Sequence, residues 1–338
     1  MPLALSVLDL AFVPTNETPR DALMGSVALA QRAEELGYQR IWYAEHHNMP
    51  MIASSATSVV IAHVGAKTQR IRLGAGGVML PNHAPLVIAE QFGTLECLYP
   101  GRIDLGLGRA PGTDPITTRA LRVDAAAAET FPEDVLELQS YLADETRVPG
   151  VEATPGKGTR VPLYILGSSL FGARLAARFG LPYAFASHFA PAALEEAVRL
   201  YRREFRASAQ LSKPYVIVGL NVLAADSSAE ARDQFSVVQR ARVKALLGRG
   251  ANWSDAEAQA VLESPAGRSV QGMAMYSAIG TQAEVEAYLA EFIRLTTPDE
   301  VMSVHPAPTV PARLRSLEIL ARAAACFSEP GAALGRTH

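Results

Sequence analysis

Runs of consecutive apolar residues punctuate this chain, and each is followed by a longer stretch in which apolar positions recur every three or four residues. An unbroken apolar run reads as a strand buried on both faces, and the three-to-four spacing reads as an amphipathic helix. Residues 3–8 form the first run. Leu23, Val27, Ala30, Ala33 and Leu36 then fall at helical spacing, and Gly37 closes that helix. The alternation continues with predicted strands at 41–44, 71–76, 102–107, 162–166, 182–186, 215–223 and 300–304. Helices are predicted at about 54–66, 85–98, 118–143, 171–179, 191–206, 226–247, 281–295 and 311–325. No linker divides the chain. Eight strands alternating with helices predict an α/β fold, one (β/α)8 TIM barrel spanning residues 1–338, with an open doubly wound sheet as the alternative. The stretch 248–272, with Trp253, Pro265 and four glycines, breaks the alternation and reads as an insertion after strand seven.

Composition narrows the function classes. Apolar residues make up 49% of the 338 positions, enough for a large core. A net charge of −3 without a dense Lys/Arg run gives no reason to expect nucleic acid or an anionic membrane as a partner; small neutral or anionic molecules fit better. Cys97 and Cys326 are too few for a disulfide scaffold, and neither a signal sequence nor a membrane span is visible, so the cytoplasm is the expected compartment.

In a barrel of this kind, chemistry gathers where the strands end at their C-termini. Strand two runs into Glu45-His46-His47. Of the seven histidines, His46, His47, His83, His188 and His305 all follow predicted strands, and this convergence makes His46 a catalytic candidate. Adjacent residues on an extended segment point to opposite sides, so His46 and His47 make a poor chelating pair, and metal binding is the minor alternative. Strand three ends in Gly74-Ala75-Gly76-Gly77, suited to a sharp bend or to a ligand lying close to the backbone. Strand four ends at Gly108-Arg109, where small residues leave room for a flat ligand and Arg109 offers a permanent charge to a phosphate. Pro111 interrupts what Gly106, Gly108 and Gly112 would otherwise share with a dinucleotide fingerprint. Strand five runs through Gly167-Ser168-Ser169-Leu170 straight into a helix: free backbone N–H groups, the helix dipole and two hydroxyls form an anion seat, unless the serines only cap the helix. Gly156-Lys157-Gly158-Thr159 lacks phosphate-loop spacing and reads as a turn.

Together these stretches resemble the bacterial luciferase-like, flavin-dependent monooxygenases, on the branch of single-chain oxidoreductases. The resemblance covers nearly the whole chain and rests on 37–47, 74–85, 101–109 and 166–169 taken in order. It implies a TIM barrel that binds FMN, usually received in reduced form from a separate flavin reductase, and lets oxygen react there. It further implies His46 beside the flavin in acid–base steps and a non-proline cis peptide at Gly76-Gly77 beneath the ring. The phosphate falls to Arg109, Ser168, Ser169 and the backbone of Leu170. A homodimer is expected. Gly108 stands where luciferase has a reactive cysteine, and Ser168 where it has an acidic residue, so neither thiol chemistry nor light emission is implied. The same barrel also serves deazaflavin-dependent hydride transfer, which is the alternative cofactor reading. A metal-dependent barrel hydrolase and a flavin-binding protein without turnover are the alternatives from other classes. The 248–272 stretch is expected to act as a mobile lid.

Overall fold

A computed structural model describes residues 3–14, 17–110, 113–144, 146–248 and 251–328. The first half alternates β1 (Ala4–Asp9), α1 (Pro19–Glu35), β2 (Arg40–Tyr43), α2 (Thr57–Gly65), β3 (Arg72–Met79), α3 (Pro85–Leu98) and β4 (Ile103–Gly108). After α4 (Pro115–Ala120) and α5 (Phe131–Leu142) come β5 (Leu163–Gly167), α6 (Leu170–Phe179), β6 (Tyr183–Phe185), α7 (Leu194–Glu204) and β7 (Val216–Ala224). The chain continues through α8 (Ser228–Leu247), α9 (Asp255–Glu263), α10 (Arg268–Gly272), β8 (Ser277–Gly280), α11 (Gln282–Thr296), β9 (Glu300–Val304) and α12 (Val310–Ala324).

Strands β1 to β7 pair in sequence order, β7 pairs with β9, and β9 returns to β1, all in parallel, so eight strands close a barrel. Every strand predicted from an apolar run is present. One strand escaped that reading: β8 lies outside the ring and extends only the upper half of β7, with Asn221 to Ala224 opposite Ser277 to Gly280. The predicted 118–143 helix is also two separate helices. Pro132 sits in the first turn of α5, where its missing N–H costs nothing, and Arg122 takes a positive φ of 59° that ends the preceding turn. Two short helices occupy 255–272: α9 starts at a capping box between Ser254 and Glu257, and α9 and α10 share a small core with α8 built from Val243, Ala258, Leu262 and Val270.

The barrel interior has a polar base and an apolar middle. At the strand N-termini, buried Arg40 bonds Asp104 at 2.7 Å, Glu300 at 2.9 Å and the Tyr164 hydroxyl at 2.6 Å, while Arg72 Nε donates to Asp104 at 3.0 Å. Two guanidiniums against two carboxylates balance the charge, which is what allows the group to sit away from water. Above it, Leu8, Trp42, Ile217 and Met302 fill the barrel, with Trp42 edge-on to Tyr164 at 4.9 Å. That packed floor leaves the C-terminal mouth as the place for a ligand.

Candidate active site

Glu45 is the fixed point of the mouth. Its side chain is 2% exposed; Oε1 lies 2.7 Å from His47 Nε2 and 2.8 Å from His83 Nε2, and Oε2 accepts the Met79 backbone N–H at 3.0 Å. Burial works against its charge, but the hydrogen bonds from His83, His47 and Met79 prevail and hold the carboxyl below the usual range. An ionised carboxylate only accepts, so both imidazoles present Nε2–H to it. Residues 45 and 47 meet at one carboxylate, as period two allows on an extended segment, and His188 feels the charge of His46.

The histidines divide by environment. His46, His47, His83 and His188 stand at the mouth. His305 does not, and this corrects the five-histidine convergence: it is 1% exposed, with Nδ1 2.8 Å from Ser316 Oγ and Nε2 3.0 Å from Ser303 Oγ. Burial, helped by the nearby Arg313 charge, pushes its pKa down to about 3, so it is a neutral structural group. Arg313 in turn donates to the His305 carbonyl at 3.1 Å and to buried Asp9 at 2.6 Å. His188 is driven down to about 4 by burial and by the charges of Arg242 and His46. Among the described residues no group of three or more His, Cys, Asp or Glu side chains is placed to hold a metal ion.

Gly76 and Gly77 lie buried in β3 and are joined by a cis peptide. A Cβ on Gly76 would come within 2.8 Å of Leu8 and 2.9 Å of Trp42, and one on Gly77 within 2.8 Å of the Gly106 carbonyl oxygen. Close packing of neighbouring strands thus suffices to require glycine at both positions. Gly108 ends β4, also buried. Pro111 and Gly112 lie outside the described residues.

Arg109, Gly167, Ser168, Ser169 and Leu170 come together because β4 and β5 are paired neighbours, with Leu107 opposite Ile165. Arg109 is not a loose surface charge: its guanidinium lies 4.1 Å from the ring centroid of Phe171, in the first turn of α6. Ser169 is the N-cap of α6 in extended conformation, yet its side chain makes no capping bond. Its carbonyl is held by the Tyr183 hydroxyl at 3.1 Å. An arginine is thus stacked beside a helix N-terminus whose capping hydroxyl is unspent, an arrangement suited to an anion. Asn48 and Asp114, absent from the sequence reading, tie α4 to the loop after β2 at 3.0 Å.

The model of the luciferase-like monooxygenase family matches residues 4–299. The chain belongs to that family. The luciferase-like monooxygenase of Escherichia coli K12 is 46% identical over 329 residues, covering 94% of this chain and 96% of the relative. The N-acetyl-S-alkylcysteine monooxygenase of Bacillus subtilis is 37% identical, covering 78% of this chain and 80% of its own. The crystal structure of apo-MsnO8 superposes with a TM-score of 0.84 at 32% identity, over 95% of this chain and 98% of that one. This luciferase-like monooxygenase is therefore an oxidoreductase on a TIM barrel. Among the described residues no helix is long and apolar enough to cross a membrane.

Proposed function

We propose that the monooxygenase runs on FMN, received in reduced form from a separate flavin reductase and used with O2 on a small, mostly apolar organic substrate. The observation that carries this reading is the Arg109–Phe171 stack beside the uncapped Ser169 hydroxyl. When bound, reduced flavin supplies the electrons that activate oxygen, and the protein's part is to hold, orient and shield. Arg109, the hydroxyls of Ser168 and Ser169 and the backbone N–H of Leu170 bind the phosphate. Gly76, Gly77, Gly108 and Gly167 leave the mouth flat enough for the ring. His46 holds or releases a proton at its imidazole; Glu45 fixes His47 and His83 and so orients the loop that carries His46, rather than reacting itself. The relative named for N-acetyl-S-alkylcysteine is in keeping with a small organic substrate. The protein works as a cytoplasmic homodimer: Val87 and Leu98, exposed on one face of α3, and Val59 on neighbouring α2 offer an apolar surface to a second copy. Titration with FMN and riboflavin tests the seat. FMN is expected to bind at least about tenfold more tightly, and equal affinities would remove the phosphate assignment.

A further inference from the structure

The mouth holds a second cation that the phosphate seat does not use. Arg242, on α8, donates from Nη2 to Asn221 Oδ1 at 3.1 Å. Asn221 lies in register with Val304, the last residue of β9, so the guanidinium sits at the C-terminal end of the barrel. Among the described residues no carboxylate pairs with Arg242, and burial alone acts on its charge, disfavouring the protonated form. A guanidinium has five N–H donors in a planar fork, and among the described residues a single one of them is engaged. Keeping such a group half-buried without a counter-charge is costly unless a ligand compensates it.

The surroundings point the same way. Asn221 is 1% exposed and anchored by donating to the His188 carbonyl at 2.8 Å, so it holds the arginine from a rigid strand. Gln239, three residues before Arg242 and therefore on the same helical face, is 5% exposed with a side-chain Oε1 that has no hydrogen-bond partner among the described residues. The buried Nδ1 of His188 also lacks one, and His188 feels both Arg242 and His46. Two buried polar atoms without a partner among the described residues, Gln239 Oε1 and His188 Nδ1, thus belong to the elements around Arg242.

We propose that Arg242, steadied by Asn221, anchors a carboxylate of the organic substrate, so that the enzyme acts on monoanionic acids with an apolar remainder. The substrate role rests on the flavin reading of the mouth above. A planar fork matches a carboxylate in two-point fashion, and one guanidinium balances one negative charge. The phosphate seat, at β4 and β5, is a different part of the rim.

Calorimetric titration of the full chain with octanoate and octanamide tests this, with FMN titrated into the same proteins. Octanoate is expected to bind at least about tenfold more tightly than octanamide. Arg242→Gln should erase that preference and leave FMN affinity unchanged, and Arg242→Lys should keep part of it. Asn221→Asp supplies the guanidinium with an internal carboxylate and should erase the preference with Arg242 still in place. No preference in the native chain, or a preference surviving both Arg242→Gln and Asn221→Asp, would overturn the assignment. So would an Arg242→Gln protein that loses FMN as strongly as octanoate. If FMN fails to bind the native chain while the octanoate preference follows Arg242, the carboxylate site stands and the cofactor reading alone falls.

Discussion

Ser169→Ala separates a capping role from a ligand role. An N-cap serine ordinarily contributes about 1 kcal/mol through its hydroxyl, and Ser227 does this for α8 by accepting the Glu230 N–H at 3.2 Å. Ser169 makes no such bond, so its loss should alter stability by less than about 0.5 kcal/mol, as for an ordinary surface position, whereas Ser227→Ala should cost about 1 kcal/mol. A hydrogen bond to a charged group contributes about 1.5–3 kcal/mol, and solvent at this exposed position brings the value below that range, to about 1–1.4 kcal/mol. FMN should therefore bind roughly five- to tenfold more weakly to Ser169→Ala, and riboflavin within about twofold of the native value. Urea denaturation supplies the first comparison and fluorescence titration with the two flavins the second. A Ser169→Ala protein destabilised as much as Ser227→Ala, with unchanged FMN affinity, would show that the serine is only a cap.

Other consequences concern His46, the barrel base and pH. His46→Ala should leave reduced FMN bound within about threefold but lower product formed per flavin oxidised by about 10²-fold; unaltered yield would end its catalytic role. Asp104→Ala strips the shared carboxylate from Arg40 and Arg72 at the barrel base and should cost about 3–5 kcal/mol in urea denaturation. His305 and His188, held down to about 3 and about 4, bind fewer protons folded than unfolded below their ordinary value of 6.5. Their stabilisation is complete above that value and is lost as pH falls through the interval below it, with the unfolded chain binding about two more protons near pH 5. His305→Gln should reduce that slope by about one proton; an unchanged slope would refute the buried neutral assignment.

The barrel was legible because strands buried on both faces must be apolar throughout, which sets 41–44 or 215–223 apart from the helical spacing around them. The strand Ser277–Gly280 has only Ala278 and Ile279 between a serine and a glycine, so no unbroken apolar run marks it, and its pairing with β7 is a matter of topology alone. The two-helix answer at 118–143 was readable from Pro132 in hindsight, and Ser254-x-x-Glu257 announces α9 as a capping box. At the site, strand-end logic brought Glu45, His46, Arg109, Ser168 and Ser169 forward, because a rim position needs only a strand boundary to be recognised. It put His305 there too, since nothing in the sequence tells that Ser303 and Ser316 enclose it. Asn221 and Arg242 are 21 positions apart on a strand and a helix, and no spacing rule joins them. The Glu45–His83 bond is likewise formed only when β2 and β3 are side by side.

The most direct measurement is rapid mixing of protein-bound reduced FMN with oxygenated buffer, followed by absorbance across the flavin bands. A reduced-FMN monooxygenase that shields its flavin should slow reoxidation relative to free flavin and pass through a spectrum belonging to neither reduced nor oxidised flavin. Reoxidation at the rate of free flavin, directly from one spectrum to the other and with immediate release of peroxide, would contradict it.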